Sequence, residues 1–405
     1  MNNMEAVGGS YPQVNNGAVI RLSVKRLYSI FIAILPLCMY YKFPFLEYGL
    51  GTVFSVVFVP YLVLSIINRK KDVKAKKNLW IILYFLYVIY RSSSDTATML
   101  LMAIAFLHII AARSSIDYDV CMNTVKKVSV IASCILLVQR MLSILGIHVS
   151  FFAASIALQE FTEVSSILQG QELTRMSGLF AEPAHFAEYA LVGLILIMMK
   201  DGKMDGDKID FKSAIIITLA ILASTSGIGL LGTIAIWVYY ILFHSRRMRR
   251  YPMLLRIMFL AAVGMVGLAG VYMVPTLRLA FNRIFGSVDG YNAVLGRSVY
   301  IDTYLDQLHD SLWYWGMGPV AVESFLIGVV KIIYQYGLVG LGLLFLGLFR
   351  YFVDGRQEVK VICLLYCGFL IASGMVGFLN YIFYISIIAA AFSNNSAEIN
   401  TTRNN

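Results

Sequence analysis

The sequence predicts an all-α, polytopic integral membrane protein with about 12 transmembrane helices and two long outer loops. Hydrophobic residues make up 59% of the 405 residues and charged residues only 14%, which excludes a single soluble core under a charged surface. The apolar runs lack the strict alternation of membrane β-strands, so they indicate helices. The net charge of +10 is spread over short Lys and Arg clusters between the runs, as in cytoplasmic membrane loops, and does not indicate a nucleic-acid partner.

Twelve apolar runs are candidate spans. They cover residues 27–41, 49–67, 79–90, 96–112, 128–147, 183–199, 213–224, 228–243, 254–274, 326–349, 361–377 and 379–392. Several are shorter than the ~17–25 residues of a straight crossing, so three neighbouring pairs could each form one long or broken helix. These pairs are 79–90 with 96–112, 213–224 with 228–243, and 361–377 with 379–392. Merging any one pair would invert every later loop and scatter the basic clusters over both faces, which favours separate spans with both termini cytoplasmic.

This topology predicts one membrane domain, residues 27–392, carrying two long outer segments at about 148–182 and 275–325. Residues 1–26 are predicted to form a disordered cytoplasmic tail, and residues 393–405 a second cytoplasmic tail. Functional residues concentrate in loops that a rigid scaffold holds in place, so the two outer segments are where we expect the site.

The first outer segment ends in "RMSGLFAEPAHFAEY", where a charged stretch meets an apolar span that begins at a proline. At helical spacing Glu182, His185 and Tyr189 fall near one face, and Glu188 lies beside them inside the span. The unpaired N–H groups at the start of this helix favour an anion such as a diphosphate, with Arg175 available on the approaching loop. The alternative is that Arg175 and Glu182 form a salt bridge that only fixes the loop.

The second outer segment predicts an amphipathic helix on the membrane surface from Arg297 onward. Asp302, Asp306 and His309 share one face of this helix. Another face carries apolar residues at helical spacing, namely Ile301, Leu305, Leu308 and Leu312. An aromatic stretch, 313–315, follows as an interfacial anchor. The alternative for the polar face is that it is simply solvated.

Four further basic residues are candidate ligands for a diphosphate. Arg283 and Arg297 flank a glycine-containing turn in the second outer segment, and the planar guanidinium group suits phosphate recognition. Arg140 and Lys331 lie inside predicted spans, near their outer ends, where a charge needs a partner or a function. For these two residues the alternative is that their long side chains reach the outer interface from within the membrane.

Metal and nucleotide motifs are missing from the sequence. It has no HExxH, no Walker-type glycine loop and no GxGxxG after a strand, and its five histidines are scattered. We therefore expect no metal and no other cofactor. A reaction at the outer face then requires a substrate that is already activated, for example by a lipid diphosphate leaving group.

A set of motifs from Arg175 to Arg350 resembles the O-antigen polymerase (Wzy) family of polysaccharide polymerases, which is related to the O-antigen ligase superfamily. The motifs are, in order, "RMSGLFAEPAHFAEY", "STSG", "FNRIF", "GRSVY", "GMG" and "YGLVGLGLLFLGLF". The resemblance implies a lipid-linked-sugar glycosyltransferase of the bacterial inner membrane, with both long loops in the periplasm. Such enzymes join undecaprenyl-diphosphate-linked oligosaccharide repeat units into O-antigen or a similar surface polysaccharide, as in lipopolysaccharide biosynthesis.

The resemblance also implies partners and site residues. The partners are the lipid-linked glycan donor and acceptor, the surrounding membrane lipid, a chain-length regulator and a flippase. Arg175 and Arg297 match basic positions expected to hold the diphosphate, which they would stabilise as it leaves. A base for the acceptor hydroxyl is left open among four residues: Glu182, His185, Asp302 and His309.

Two other functions stay open at this point. An O-antigen ligase would transfer finished glycan to lipid A-core, but related ligases carry a histidine where this chain has Glu323 and Ser324. A lipid-linked oligosaccharide flippase or sugar transporter would show related halves and polar residues at mid-membrane, whereas the polar residues here gather at one face. The turn at Ser226 also lacks an arginine that many relatives of the polymerase carry there.

Overall fold

Every regular element of the computed structural model is a helix, within the part of the chain that it describes. Outside the helices, a single antiparallel bridge joins Lys42 and Gly49. The all-α prediction is therefore confirmed for these residues. The structure describes residues 23–43, 45, 48–68, 78–147, 149, 151, 176–199, 210–245, 248–273, 278, 281–282, 299–320, 322, 326–374 and 376–403.

A helix lies at each of the twelve predicted span positions, with two short helices sharing the second. In chain order the helices are α1 (Val24–Cys38), α2 (Leu50–Val57), α3 (Val59–Ile67), α4 (Leu79–Arg91), α5 (Thr96–Ser115), α6 (Tyr118–Ile144), α7 (Pro183–Met198), α8 (Phe211–Ala223), α9 (Gly227–Tyr239), α10 (Met253–Met273), α11 (Ile301–Leu305), α12 (Leu312–Trp315), α13 (Gly328–Asp354), α14 (Gln357–Ala372) and α15 (Phe378–Arg403). A π-helical turn, Tyr240–His244, extends α9.

Among the described residues, five helical segments are long and apolar enough to cross a membrane. They are Leu50–Ile67, Thr96–Ser115, Tyr118–Ile144, Gly227–His244 and Gly328–Asp354. Several shorter apolar helices pack with them, which is the pattern of a polytopic membrane protein. The number of crossings stays a prediction.

The three ambiguous pairs are separate helices joined by turns, as the charge distribution favours. The α4–α5 turn ends at Asp95, whose carboxylate accepts hydrogen bonds from the hydroxyl and amide of Thr98 and from the amide of Ala97. These bonds, the Thr98 hydroxyl first, hold the pKa of Asp95 below its usual range, so a charged carboxylate caps α5 at neutral pH.

The first and the last helix of the chain both extend into the predicted terminal tails. The first helix begins at Val24, inside the predicted 1–26 tail, because the Ser23 hydroxyl accepts a hydrogen bond from the Arg26 amide and caps it. The last helix continues to Arg403, through the predicted 393–405 tail.

The amphipathic helix predicted from Arg297 onward is wrong as a single helix. It is divided into α11 and α12, and Asp310 between them has a left-handed φ of 46° that ends any regular helix. The predicted apolar face is nevertheless correct, because its residues lie together and pack against the beginning of α13. This cluster contains Ile301, Leu305, Leu308 and Leu312 together with Leu326, Val330 and Tyr334.

The margins of the two long outer segments lie at the same end of the helix bundle. The Tyr41 hydroxyl donates to the Leu179 carbonyl (2.6 Å), and the Gly328 amide donates to the Ser373 carbonyl (2.8 Å). The α1–α2 connection joins these points, because Gly51 lies against the start of α15. We call this end the loop end; it comprises the described residues within 39–51, 91–95, 176–182, 224–226, 316–328 and 373–379.

A buried histidine links α1, α2 and α5. His108 is fully buried, and its Nε2 lies 3.1 Å from the Ser55 carbonyl, which can only accept, so Nε2 carries the proton. Its Nδ1 therefore accepts from the Tyr28 hydroxyl at 2.8 Å. Both ring nitrogens are paired, so His108 is explained by structure alone.

Replacing His108 by leucine should lower the free energy of unfolding by about 1–3 kcal/mol, because the Tyr28 hydroxyl loses its acceptor inside the bundle. Unfolding in mixed micelles measures this change. Adding Tyr28→Phe to the leucine variant removes the stranded hydroxyl, so the double variant should recover part of the loss. A single variant as stable as the wild type would show that the pair contributes nothing.

Candidate functional site

The start of α7 forms the first part of the site. Pro183 is the first helical residue, where its missing N–H costs nothing and its fixed φ favours the helix. Glu182 is the N-cap residue, but its side chain makes no capping hydrogen bond. The carboxylate instead interacts electrostatically with His185, one turn along the helix. The predicted placement of these two residues at the helix start is therefore correct.

The ring of His185 stacks on Tyr40, which comes from the α1–α2 connection. The two ring centroids are 4.6 Å apart and the planes differ by 16°. Tyr189, one turn further along α7, donates its hydroxyl to the Ala33 carbonyl of α1 at 2.9 Å. His185 and Tyr189 thus lie on one face of α7, as their spacing predicts. The structure turns this face toward α1 and the α1–α2 connection. The His185 Nδ1 is buried and makes no hydrogen bond to any described residue.

Glu188 extends the polar cluster into the apolar interior. Its side chain is 1% exposed, and it interacts electrostatically with Tyr40 on one side and Tyr384 of α15 on the other. The Tyr384 ring stacks on Tyr366 of α14, with 4.7 Å between the two ring centroids. A carboxyl group at this depth is costly, which marks the region between α1, α7 and α15 as a functional candidate.

The helices α7 and α9 pack side by side and run parallel. A Cβ on Gly229 would lie 2.7 Å from the Ala187 Cβ, and one on Gly232 would lie 2.5 Å from a Leu191 methyl group. These contacts advance in the same direction along both helices. The two N-termini are therefore neighbours at the loop end, where their unpaired amides give a region of positive potential.

The turn before α9 is buried and rich in hydroxyl groups. Ser224 donates to the Ile221 carbonyl (2.7 Å), and Ser226 accepts from the Gly229 amide (3.3 Å) as the N-cap of α9. Thr225 between them has a left-handed φ of 56°, which is unusual for a residue with a branched Cβ. Its side chain is 6% exposed, and its Oγ1 has no hydrogen-bond partner among the described residues.

A helix interruption forms a second feature of the loop end. Within α13, Gly337 has φ 67° and ψ −176°, which breaks the helix about a third of the way along its length. The segment Trp315–Gly318, which we call the WGMG strap, docks at this break. The Met317 amide donates to the Tyr334 carbonyl (2.8 Å), and the Gly318 amide donates to the Gln335 carbonyl (2.9 Å). Carbonyl groups that the break would leave unpaired are thus satisfied.

The end of α4 holds the other side of the strap. The Tyr87 hydroxyl lies 3.0 Å from the Trp315 carbonyl and 2.9 Å from the Tyr336 carbonyl. The Arg91 Nη2 donates to the Gly316 carbonyl at 2.7 Å. The end of the second outer segment is therefore fixed on the bundle next to α13.

Three of the predicted basic ligands, Arg175, Arg283 and Arg297, lie outside the described residues. Two others are half-buried near the loop end: Arg140 lies one turn before the end of α6, and Lys331 lies in the first turn of α13.

The four candidates for a base are divided by the structure into two pairs. Glu182 and His185 lie together at the start of α7 beside Tyr40. Asp302 and His309 are exposed on the second outer segment, with their neighbouring apolar residues turned toward α13. Their polar face is therefore solvated in this structure.

Sequence reasoning missed three residues of the site. Tyr40 follows an apolar run, and nothing local connects it with a helix almost 150 residues later. The strained Thr225 lies in the quoted "STSG", but no spacing rule predicts a left-handed threonine. Arg91 could have been found, since it is a cation at the end of an apolar run directly before an outer turn.

The fold and the site together define an all-α membrane protein with a polar site at one end of its helix bundle. Comparison of the chain with protein-family profiles, with curated proteins and with solved structures finds no match.

Proposed function

We propose that the protein is a glycosyltransferase that polymerises undecaprenyl-diphosphate-linked oligosaccharide repeat units into O-antigen or a similar surface polysaccharide. The observation that carries this proposal is the pair of parallel helix N-termini at the start of α7 and α9, with Glu182 and His185 beside them. An anionic leaving group and a proton acceptor are the two elements that such a transfer requires. The sequence resemblance from Arg175 to Arg350 names the substrate class.

The diphosphate of the donor lies at the paired N-termini. Backbone amides and the helix dipoles favour an anion there, and the buried Thr225 hydroxyl adds an unused donor. Arg175, which directly precedes the buried Met176 in the sequence, and Arg297 are the basic ligands that the sequence resemblance assigns to the diphosphate. Guanidinium groups stabilise the negative charge that develops on the leaving diphosphate.

The transfer step uses His185 as the base. The acceptor hydroxyl oxygen bonds to the anomeric carbon of the donor glycan, and the bond from that carbon to the diphosphate oxygen breaks, with its electron pair leaving on the diphosphate. A ring nitrogen of His185 takes the proton of the acceptor hydroxyl. The Glu182 carboxylate stabilises the imidazolium that forms. Asp302 and His309 are assigned no chemical role.

The reaction takes place on the periplasmic face of the inner membrane in this proposal, with the loop end outward and both termini in the cytoplasm. The distribution of charge supports this orientation. The opposite end of the bundle carries basic residues near the ends of α1, α5, α6, α13 and α14, which are Lys25, Arg26, Arg113, Lys126, Lys127, Arg350, Arg356 and Lys360. A chain-length regulator and a flippase are proposed partners.

Complementation of a deletion strain tests the function and the diphosphate site together. Loss of the gene should abolish the ladder of surface glycan on a gel and leave lipid A-core capped by a single repeat. Arg175→Ala and Arg297→Ala should each lower polymerisation about 100-fold or more, because a positioned donor to the developing anion is removed.

The matched control is Arg350→Ala, which removes an arginine at the opposite end of the bundle, where it pairs with Asp354 at 2.9 Å. This variant should restore the full ladder. All membrane amounts are compared by immunoblot. Complete loss of glycan in the deletion strain would favour a ligase or a flippase, and full-length polymer from both arginine variants would refute the diphosphate site.

A further inference from the structure

The segment between α1 and α2 is braced on both sides of Tyr40. The Tyr41 hydroxyl donates to the Leu179 carbonyl (2.6 Å), and the Tyr41 carbonyl accepts from the Leu50 amide (2.6 Å). Lys42 and Gly49 form the antiparallel bridge. Since Cys38 ends α1 just before it, Tyr40 is held between a helix end and a closed turn. Its position therefore depends on the scaffold and not on a bound substrate.

Tyr40 is also the residue at which the polar groups of α7 meet. Its ring, 4% exposed, covers the face of the His185 ring at 4.6 Å and 16°. It interacts electrostatically with Glu188, more strongly than with Glu182. A near-parallel aromatic stack restricts rotation of the imidazole about its χ2 angle, which is otherwise broad.

The orientation of the imidazole matters because a base acts only when its ring nitrogen points at the proton that it removes. His185 Nδ1 is buried and makes no hydrogen bond to any described residue, so no hydrogen bond at this atom fixes the plane of the ring. The stack on Tyr40 supplies that constraint. A base must lie within hydrogen-bond reach of the proton that it removes, and a small misplacement of the group slows the reaction strongly.

We infer that Tyr40 is a positioning residue for His185, holding the plane of the imidazole in the orientation in which it acts as the base. This inference rests on the proposed function. It assigns the role to the aromatic ring of Tyr40 and not to its hydroxyl. It also gives the α1–α2 connection, outside both long outer segments, a part in the reaction.

Three variants separate this role from a structural one. Tyr40→Leu removes the stack and should lower kcat about 10- to 100-fold while leaving KM for the lipid-linked repeat unit unchanged. Tyr40→Phe keeps the ring and should retain kcat within about twofold. Tyr48→Leu is the matched control, because Tyr48 lies on the same connection and is 67% exposed, and it should behave as the wild type.

The assay uses purified full-length protein in proteoliposomes, with lipid-linked repeat units isolated from the deletion strain. A double-mutant cycle provides the decisive readout: in a His185→Ala background, Tyr40→Leu should cause no further loss of the residual rate. An additional loss of the same size in that background would mean that Tyr40 does not act through His185, and would overturn the inference. A Phe variant as slow as the Leu variant would also overturn it.

The assay distinguishes failure of the inference from failure of the proposed function. A wild-type protein that makes no polymer from these repeat units overturns the function and the inference with it. A wild-type protein that polymerises them, with an unchanged kcat in Tyr40→Leu, overturns the inference alone. If Tyr40→Leu does not fold, the Phe variant and a Tyr40→Trp variant, which should keep more than a tenth of kcat through its ring, decide the question.

Discussion

Replacing Gly337 by alanine should destabilise the protein by at least about 2 kcal/mol and lower its folded amount in the membrane. Gly337 has φ 67°, a conformation that side chains with a Cβ adopt at a cost. In addition, the new methyl group would overlap the Tyr314 carbonyl at the point where the WGMG strap docks. Helix α13 and the strap cannot both keep their positions.

Thermal unfolding of the detergent-solubilised protein measures this effect. The control is Gly342→Ala on the same helix, where a Cβ would meet nothing within 4 Å and φ is not positive. This control should be neutral or slightly stabilising, since alanine favours a helix over glycine. Equal melting temperatures for the two variants would show that the interruption at Gly337 is not needed for the fold.

Replacing His185 by glutamine should reduce kcat for polymerisation by about 100- to 10,000-fold, with little change in the amount of protein. Glutamine fills similar space but cannot take up the proton of the acceptor hydroxyl. His185 lies beside Glu182 at the paired N-termini of α7 and α9. Variants of His185 therefore test the proton acceptor, and variants of the arginines test the anion site.

The matched substitution is His309→Gln, which changes an exposed histidine of the second outer segment. It should leave the rate unchanged. Both variants are assayed with the same lipid-linked repeat units in proteoliposomes. An active His185→Gln enzyme, or a His309→Gln enzyme that has lost its activity, would refute the assignment of the base.

Sequence alone predicted the positions of the helices because hydrophobic runs record them directly. It also placed Glu182 and His185 correctly, since a proline at a helix start fixes the register of the residues around it. The interruption of α13 was missed, because "YGLVGLG" contains three glycines within one apolar run and composition does not tell which of them leaves helical geometry. Only the docked strap selects Gly337.

The contact of Tyr40 with His185 was missed for a different reason. It depends on how α1 packs against α7, and packing of distant helices leaves no periodic trace in one sequence. The surface helix from Arg297 onward shows a third limit: its apolar spacing predicted the residues that pack on α13, but the same spacing did not reveal the break at Asp310. A turn residue with left-handed φ can end a helix without changing its hydrophobic pattern.

The WGMG strap separates the attachment of a loop from its chemistry. The four strap groups that bind the bundle are the carbonyls of Trp315 and Gly316 and the amides of Met317 and Gly318, all of them main-chain atoms. No strap side chain takes part in these bonds. The strap needs glycine only at Gly316 and Gly318, whose φ values are 75° and 94°. Residues of the preceding segment that do not pack on α13 can thus change, while the end of the segment stays docked by the same backbone pattern. Under the proposed function, such a separation lets one scaffold serve many glycans.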